Sequence, residues 1–136
     1  MAAKKAAGAK KAAPSKPEPD SEATFEWLKS ILDRYEDRLH LNSLQPTFYC
    51  LETKSASYNG KPMFFGGVRA GRAYVSFYLM PLYWEPSLAK GISRALKKRM
   101  QGKSCFNFTS PDPTLFRELA KLTAAGFALY RRKNLL

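Results

Sequence analysis

The chain has 136 residues, 23 of them basic and 11 acidic, for a formal net charge of +12. That length suits one domain and is too short for two of ordinary size. Two cysteines, one histidine and no apolar run near the ~18 residues of a membrane span argue against a disulfide-stapled secreted domain, a multi-histidine metal site and a transmembrane protein.

The charge is unevenly placed. Residues 1–20 carry five lysines against Glu18 and Asp20. Residues 21–53 carry three basic and six acidic residues, and residues 54–136 carry fifteen basic residues against Glu85, Asp112 and Glu118. The body of the chain therefore holds most of the excess, and the charge narrows the partner to something anionic.

The first thirteen residues are seven alanines, four lysines, Met1 and Gly8, and Pro14, Pro17 and Pro19 follow. With no large apolar side chain after Met1, this stretch cannot bury enough surface to offset its ordering entropy. Residues 1–20 are expected to be a disordered basic tail, and residues 21–136 a single domain. The tail lacks the apolar core of a secretory signal, and a cytoplasmic location is expected. Lys4, Lys5, Lys10, Lys11 and Lys16 either keep the chain soluble or form an electrostatic arm on nucleic acid. In composition the tail resembles those of histone-like proteins.

From Ser21 the spacing is helical. Phe25, Leu28, Ile31, Leu32, Tyr35 and Leu39 recur at three and four residues, on one face. Ser21 or Thr24 is a candidate N-cap, and Asn42 and Pro46 are expected to close the helix. His40 then falls near its carboxyl end, where a donating ring suits the helix dipole.

Beyond Pro46 the period turns to that of strands. Thr47–Thr53 is rich in strand formers, and Asn59-Gly60 signals a turn. Met63–Val68 and Ala73–Leu79 form a hairpin pair around Arg69-Ala70-Gly71-Arg72, and Gly66-Gly67 predicts a bulge or a close backbone approach. Ala73–Leu79 carries large residues on both faces, as a central covered strand or one lining a cavity does. Met80-Pro81 ends it. Short helical turns are expected at Ser87–Gly91 and, capped by Ser93, at Ser93–Met100. Lys103–Phe108 reads as a last strand. Asp112 as N-cap and Pro113 at the first position open a final helix with Leu115, Phe116, Leu119 and Leu122 buried and Gly126 as C-cap. The order implies an α+β fold: an antiparallel sheet of three to five strands with N- and C-terminal helices packed on it.

Catalytic signatures are lacking. His40 is the sole candidate base for a serine triad and has no supporting pattern around it. Gly102-Lys103-Ser104 lacks the upstream glycine of a phosphate-binding loop, since Lys97 stands there, and it runs into a strand where that motif opens a helix. Gly66–Gly71 lacks the spacing of a dinucleotide fingerprint. Cys50 and Cys105, with no Cys-x-x-Cys spacing, are expected to be buried free thiols; they could pair only if their strands were adjacent.

Two constellations carry binding chemistry. Lys97, Lys98 and Arg99, with Gln101 and Lys103, form a dense cationic segment that is either a solvated face or an anion site for phosphate, carboxylate or a nucleic-acid backbone. Tyr58, Tyr74, Tyr78, Tyr83 and Trp84 are either core aromatics or the lining of a cleft. Aromatics beside cations suit a small anionic ligand or single-stranded nucleic acid.

Two segments, Phe64–Leu82 (FFGGVRAGRAYVSFYLMPL) and Lys98–Phe108 (KRMQGKSCFNF), together resemble the YdhG-like family of small bacterial domains of unknown function, which is linked to frataxin-like iron chaperones. The likeness covers roughly residues 22–130. It implies a compact α+β sandwich of helices on an antiparallel sheet. Relatives often carry a histidine where this chain has Tyr78. Frataxin-like iron binding relies on an acidic ridge, and the one acidic cluster here, Glu22, Glu26, Asp33, Glu36 and Asp37, is diluted by Lys29, Arg34 and Arg38.

The expected function is that of a non-enzymatic binding protein without cofactor or resident metal. It would take a small anionic ligand or a protein partner through a cleft near Tyr78, Arg99 and Lys103, flanked by Tyr58, Tyr83 and Trp84. The alternative is nucleic-acid association through the tail lysines with Lys97 and Lys98, and a third reading is iron chaperoning. No membrane partner is expected.

Overall fold

The computed structural model describes residues 19–54 and 60–136. The tail, with Lys4, Lys5, Lys10, Lys11 and Lys16, lies outside the described residues through position 18, and so does Tyr58. The first helix, α1 (Pro19–Asp33), begins slightly before the expected boundary. Ser21 and Thr24 therefore lie inside it rather than capping it, and the Thr24 hydroxyl donates back to the Asp20 carbonyl at 2.5 Å. Phe25, Leu28, Ile31 and Leu32 form its buried stripe.

The helix stops six residues before Leu39. Residues 34–38 continue as turns, with Tyr35 N–H on the Leu32 carbonyl, Glu36 on Asp33 and Arg38 on Tyr35. These three-residue steps keep Tyr35 and Leu39 facing inward, so the apolar period runs on after the helix has ended. His40 is the first residue of a strand, β1 (His40–Gln45), not a helix terminus. Pro46 and Thr47 turn the chain into β2 (Phe48–Glu52), and β3 (Phe64–Ala70) and β4 (Val75–Leu79) form the expected hairpin. There follow α2 (Pro81–Trp84), a 3-10 turn at Pro86–Ala89, α3 (Arg94–Lys97), β5 (Met100–Gln101), β6 (Cys105–Phe108) and α4 (Pro113–Arg132).

The fold is α+β, with one antiparallel sheet of six strands in the order β1-β2-β3-β4-β6-β5. Six strands exceed the three to five expected because both edges escape notice: β1 is polar and mostly exposed, and β5 has two residues. β4 is an inner strand between β3 and β6, which accounts for its two large faces. Val75, Phe77 and Leu79 point into the core with Phe106 and Phe108 of β6.

The helices lie on one side of this sheet. Phe65 meets Phe127 and Tyr130 of α4, and Phe108 meets Phe116 edge-on at 4.9 Å. Strand alternation sends Cys50, Gly67, Tyr78 and Cys105 to the opposite face, where their mutual pairings set them in one row across β2, β3, β4 and β6. At Gly67 a Cβ would fall 2.8 Å from the Tyr49 carbonyl, and the β2–β3 register shifts nearby, between Leu51 and Glu52. Of the two outcomes expected at the glycine pair, the close approach is the one it provides; the bulged residue is the adjacent Phe65. Cys50 and Cys105 are free thiols on strands separated by β3 and β4.

Asp112 caps α4 as expected, its Oδ1 accepting from Leu115 N–H at 3.1 Å. Gly126 does not end the helix. It lies inside α4, which runs to Arg132, and its missing side chain admits the ring of Pro81, whose Cγ would be 2.9 Å from a Cβ.

Candidate anion site

The segment between α2 and β6 carries the cations. From Pro86 to Pro111 there are six basic residues and no acidic one. Its centre is α3, a single helical turn that could not persist alone and is held by contacts at its amino end and beneath it. Ser93, the N-cap, accepts from Leu96 N–H at 3.1 Å, while its hydroxyl donates to Glu118 Oε1 at 2.7 Å and its backbone N–H to Glu118 Oε2 at 2.5 Å. Leu96 is fully buried below. Both carboxylate oxygens of Glu118 are thus spent on fixing α3 to α4, and the charged face of α3 is turned outward.

Arg94 and Lys98, four residues apart and so on one helical face, line a recess of about 540 Å³ with Ala95 and Arg99. Asp112 and Leu115, at the start of α4, complete the lining. Three cations line the recess with one carboxylate, whose Oδ1 caps α4. The recess therefore holds excess positive charge on a framework fixed by Ser93, Glu118 and Asp112. Its volume lies within the roughly 300–1,000 Å³ usual for small-ligand sites. Guanidinium and ammonium groups of this kind can donate charge-assisted hydrogen bonds to phosphate or carboxylate oxygens.

The sequence-derived residues separate into distinct places. Arg99 and Lys98 line this recess, and Lys97 is exposed on α3 without lining it. Lys103, in the turn between β5 and β6, sets its Nζ over the Tyr83 ring at 5.9 Å. Tyr83 in turn meets Trp84 edge-on at 5.3 Å. Tyr78 stands in mid-sheet, half-buried beside Gly67 and Cys105, and does not line the recess. Tyr74, at the β3–β4 hairpin, is exposed. Arg94, Asp112 and Leu115 were missed as site residues. The spacing of Arg94 and Lys98 behind a serine cap was a readable signal; the wall supplied by α4 was not, because tertiary packing alone brings it there.

Among the described residues no group of three or more histidine, cysteine, aspartate or glutamate side chains is placed to hold a metal ion. Within the acidic cluster, Glu36 accepts a hydrogen bond from the Tyr49 hydroxyl at 2.5 Å. No described helix is long and apolar enough to cross a membrane. Comparison with protein-family models, with curated proteins and with solved structures finds no match to the chain.

Proposed function

We propose that this is a cytoplasmic, non-enzymatic binding domain of the YdhG-like kind, and that it takes an anionic ligand in the recess formed by Arg94, Lys98 and Arg99. The carrying observation is the recess itself: three cations on and just after a helical turn pinned by Glu118, which line it together with one carboxylate, Asp112, whose Oδ1 caps α4. Two of those cations belong to the segment Lys98–Phe108 on which the family resemblance rests, and helices on an antiparallel sheet are the architecture that the resemblance implies. The recess offers cationic donors on a clamped backbone and no organised nucleophile, base and acid, which suits binding rather than turnover.

Calorimetric titration of the full chain with tripolyphosphate tests this. A charge-assisted hydrogen bond contributes about 1.5–3 kcal/mol, so losing one weakens binding about tenfold or more. Lys98→Gln and Arg99→Gln are each expected to do so. Arg72→Gln, the same change of charge on an exposed residue of the β3–β4 hairpin, is expected to leave the affinity within twofold. Equal losses in all three variants would reduce the recess to general electrostatic attraction and refute the proposal.

A further inference from the structure

Arg99 of the recess directly precedes the edge strand β5, and Lys103, which follows it, reaches over the ring of Tyr83 in an aromatic corner. Tyr83 and Trp84 are 53% and 41% exposed, and among the described residues they are the two large exposed apolar side chains that pair with each other. Exposure alone would leave such rings mobile, but Trp84 is anchored. Its indole N–H, which can only donate, bonds the hydroxyl of Tyr130. Tyr130 is fully buried and donates onward to the Phe64 carbonyl at 2.6 Å. The buried end of α4 therefore holds the indole while part of the ring remains in solvent. Lys103 adds a cation beside the pair.

The backbone from Lys103 back to Arg99 covers at most about 13 Å even if fully extended, so the cation beside the corner and Arg99 of the recess stand at the two ends of β5. We propose that this edge binds single-stranded nucleic acid, one base stacking on the Tyr83–Trp84 corner while the backbone passes Lys103 and sets phosphates in the Arg94–Lys98–Arg99 recess. The proposal rests on the anion-binding reading of that recess and names its ligand class. Stacking on a protein ring requires an unpaired base, and a basic groove beside aromatic rings is the arrangement that holds single strands without reading their sequence. The six basic residues between Pro86 and Pro111, uninterrupted by an acidic one, supply the phosphate-facing charge.

Fluorescence anisotropy of a labelled oligo-dT of about 12 nucleotides, run beside the tripolyphosphate titration on the full chain, tests the proposal. The single strand is expected to bind more tightly than the matching duplex and than polyglutamate of equal charge. Tyr83→Ala is expected to weaken the oligonucleotide about tenfold and to leave tripolyphosphate affinity unchanged. Lys103→Gln, which disturbs no core packing, is expected to flatten the dependence of log affinity on log salt by about 0.7. Trp84→Phe, which keeps a ring but loses the Tyr130 bond, is expected to weaken the oligonucleotide less than Tyr83→Ala does. Oligonucleotide binding untouched by Tyr83→Ala and Lys103→Gln, or equal affinity for single strand, duplex and polyglutamate, overturns the track and spares the anion site. Absence of tripolyphosphate binding in the unaltered chain overturns the anion site itself.

Discussion

Ser93 and Glu118 form a two-point clamp: one carboxylate accepts both the backbone N–H and the hydroxyl of the serine, at 2.5 and 2.7 Å. The same serine oxygen accepts from Leu96 N–H. A four-residue helix has almost no intrinsic stability, so this clamp and buried Leu96 determine where Arg94, Lys98 and Arg99 stand. Ser93→Ala removes the cap and half of the clamp without altering charge. Loss of a serine cap costs about 1 kcal/mol, and denaturant unfolding should show a loss of about 1–2 kcal/mol. Tripolyphosphate affinity should fall in parallel. An unchanged affinity would show that the recess cations do not depend on the clamp.

The contact between Gly126 and Pro81 sets helix propensity against packing. Glycine inside a helix is disfavoured relative to alanine by about 1 kcal/mol, so Gly126→Ala would stabilise an isolated α4. Here the new Cβ would fall 2.9 and 3.0 Å from two carbons of a proline ring that cannot rotate away. Overpacking of this kind costs about 1–3 kcal/mol. The collision is expected to prevail, giving a net loss of about 1 kcal/mol on chemical denaturation. A gain would mean that α2 yields readily to α4.

Alkaline pH should unfold the protein by way of groups buried in their neutral form. Burial raises the Tyr49 hydroxyl above the ordinary tyrosine range, helped by its hydrogen bond to Glu36 and by the charges of Glu36 and Asp33. Burial likewise raises Tyr130, partly countered by the bond from Trp84, and pushes the Cys50 thiol up to about 11. Each group keeps its proton in the fold at pH values where the unfolded chain has lost it. Stability is therefore complete at neutral pH and falls as pH rises, beginning near 9 with Cys50 and steepening above 10 with the tyrosines. Each titrating group adds about 1.4 kcal/mol per pH unit to the slope. Urea unfolding between pH 8 and about 11 should show this decline, and Tyr130→Phe should remove one group's share of it. A flat profile would mean that these hydroxyls reach solvent.

The two thiols share a face but cannot join. Cys50 pairs with Gly67, Gly67 with Tyr78 and Tyr78 with Cys105, so three strand spacings, about 14 Å, separate them. A disulfide needs Cα atoms within about 7 Å. Mild oxidation of the folded chain should leave no intramolecular bridge, as read by mass after alkylation. Burial also raises both thiols, Cys105 against a lowering contact from Ser76, so alkylation at neutral pH should be slower than for a free thiol. A bridge formed under native conditions would contradict the strand order.

The fold was legible where one local pattern carried the information. Asp112-Pro113 marks the start of α4, Ser93 the start of α3, and Arg69–Arg72 the β3–β4 turn, since each rests on the chemistry of a few adjacent residues. It was illegible where a periodic signal had two sources. Tyr35 and Leu39 continue the apolar spacing of α1 through turns, so their positions suggested a longer helix and hid β1 behind it. Gly126 resembled a cap because its packing against Pro81 is invisible locally. The site divided in the same way. Lys98, Arg99, Lys103, Tyr83 and Trp84 stood out by type, but their grouping depends on how α4 lies along α2 and α3, and Tyr78 parted from Arg99 because strand alternation sends it to the far face of the sheet.

The central claim, that the Arg94–Lys98–Arg99 recess is the anion site, is tested most directly by following backbone amide resonances during titration with tripolyphosphate. Saturable shifts are predicted to concentrate at Arg94–Arg99 and at Asp112–Leu115, the two segments that line the recess, and to disappear in Lys98→Gln/Arg99→Gln. Shifts spread evenly over the other exposed cations, such as Arg69, Arg72, Lys121 and Arg132, with the recess no more responsive than they are, would contradict it.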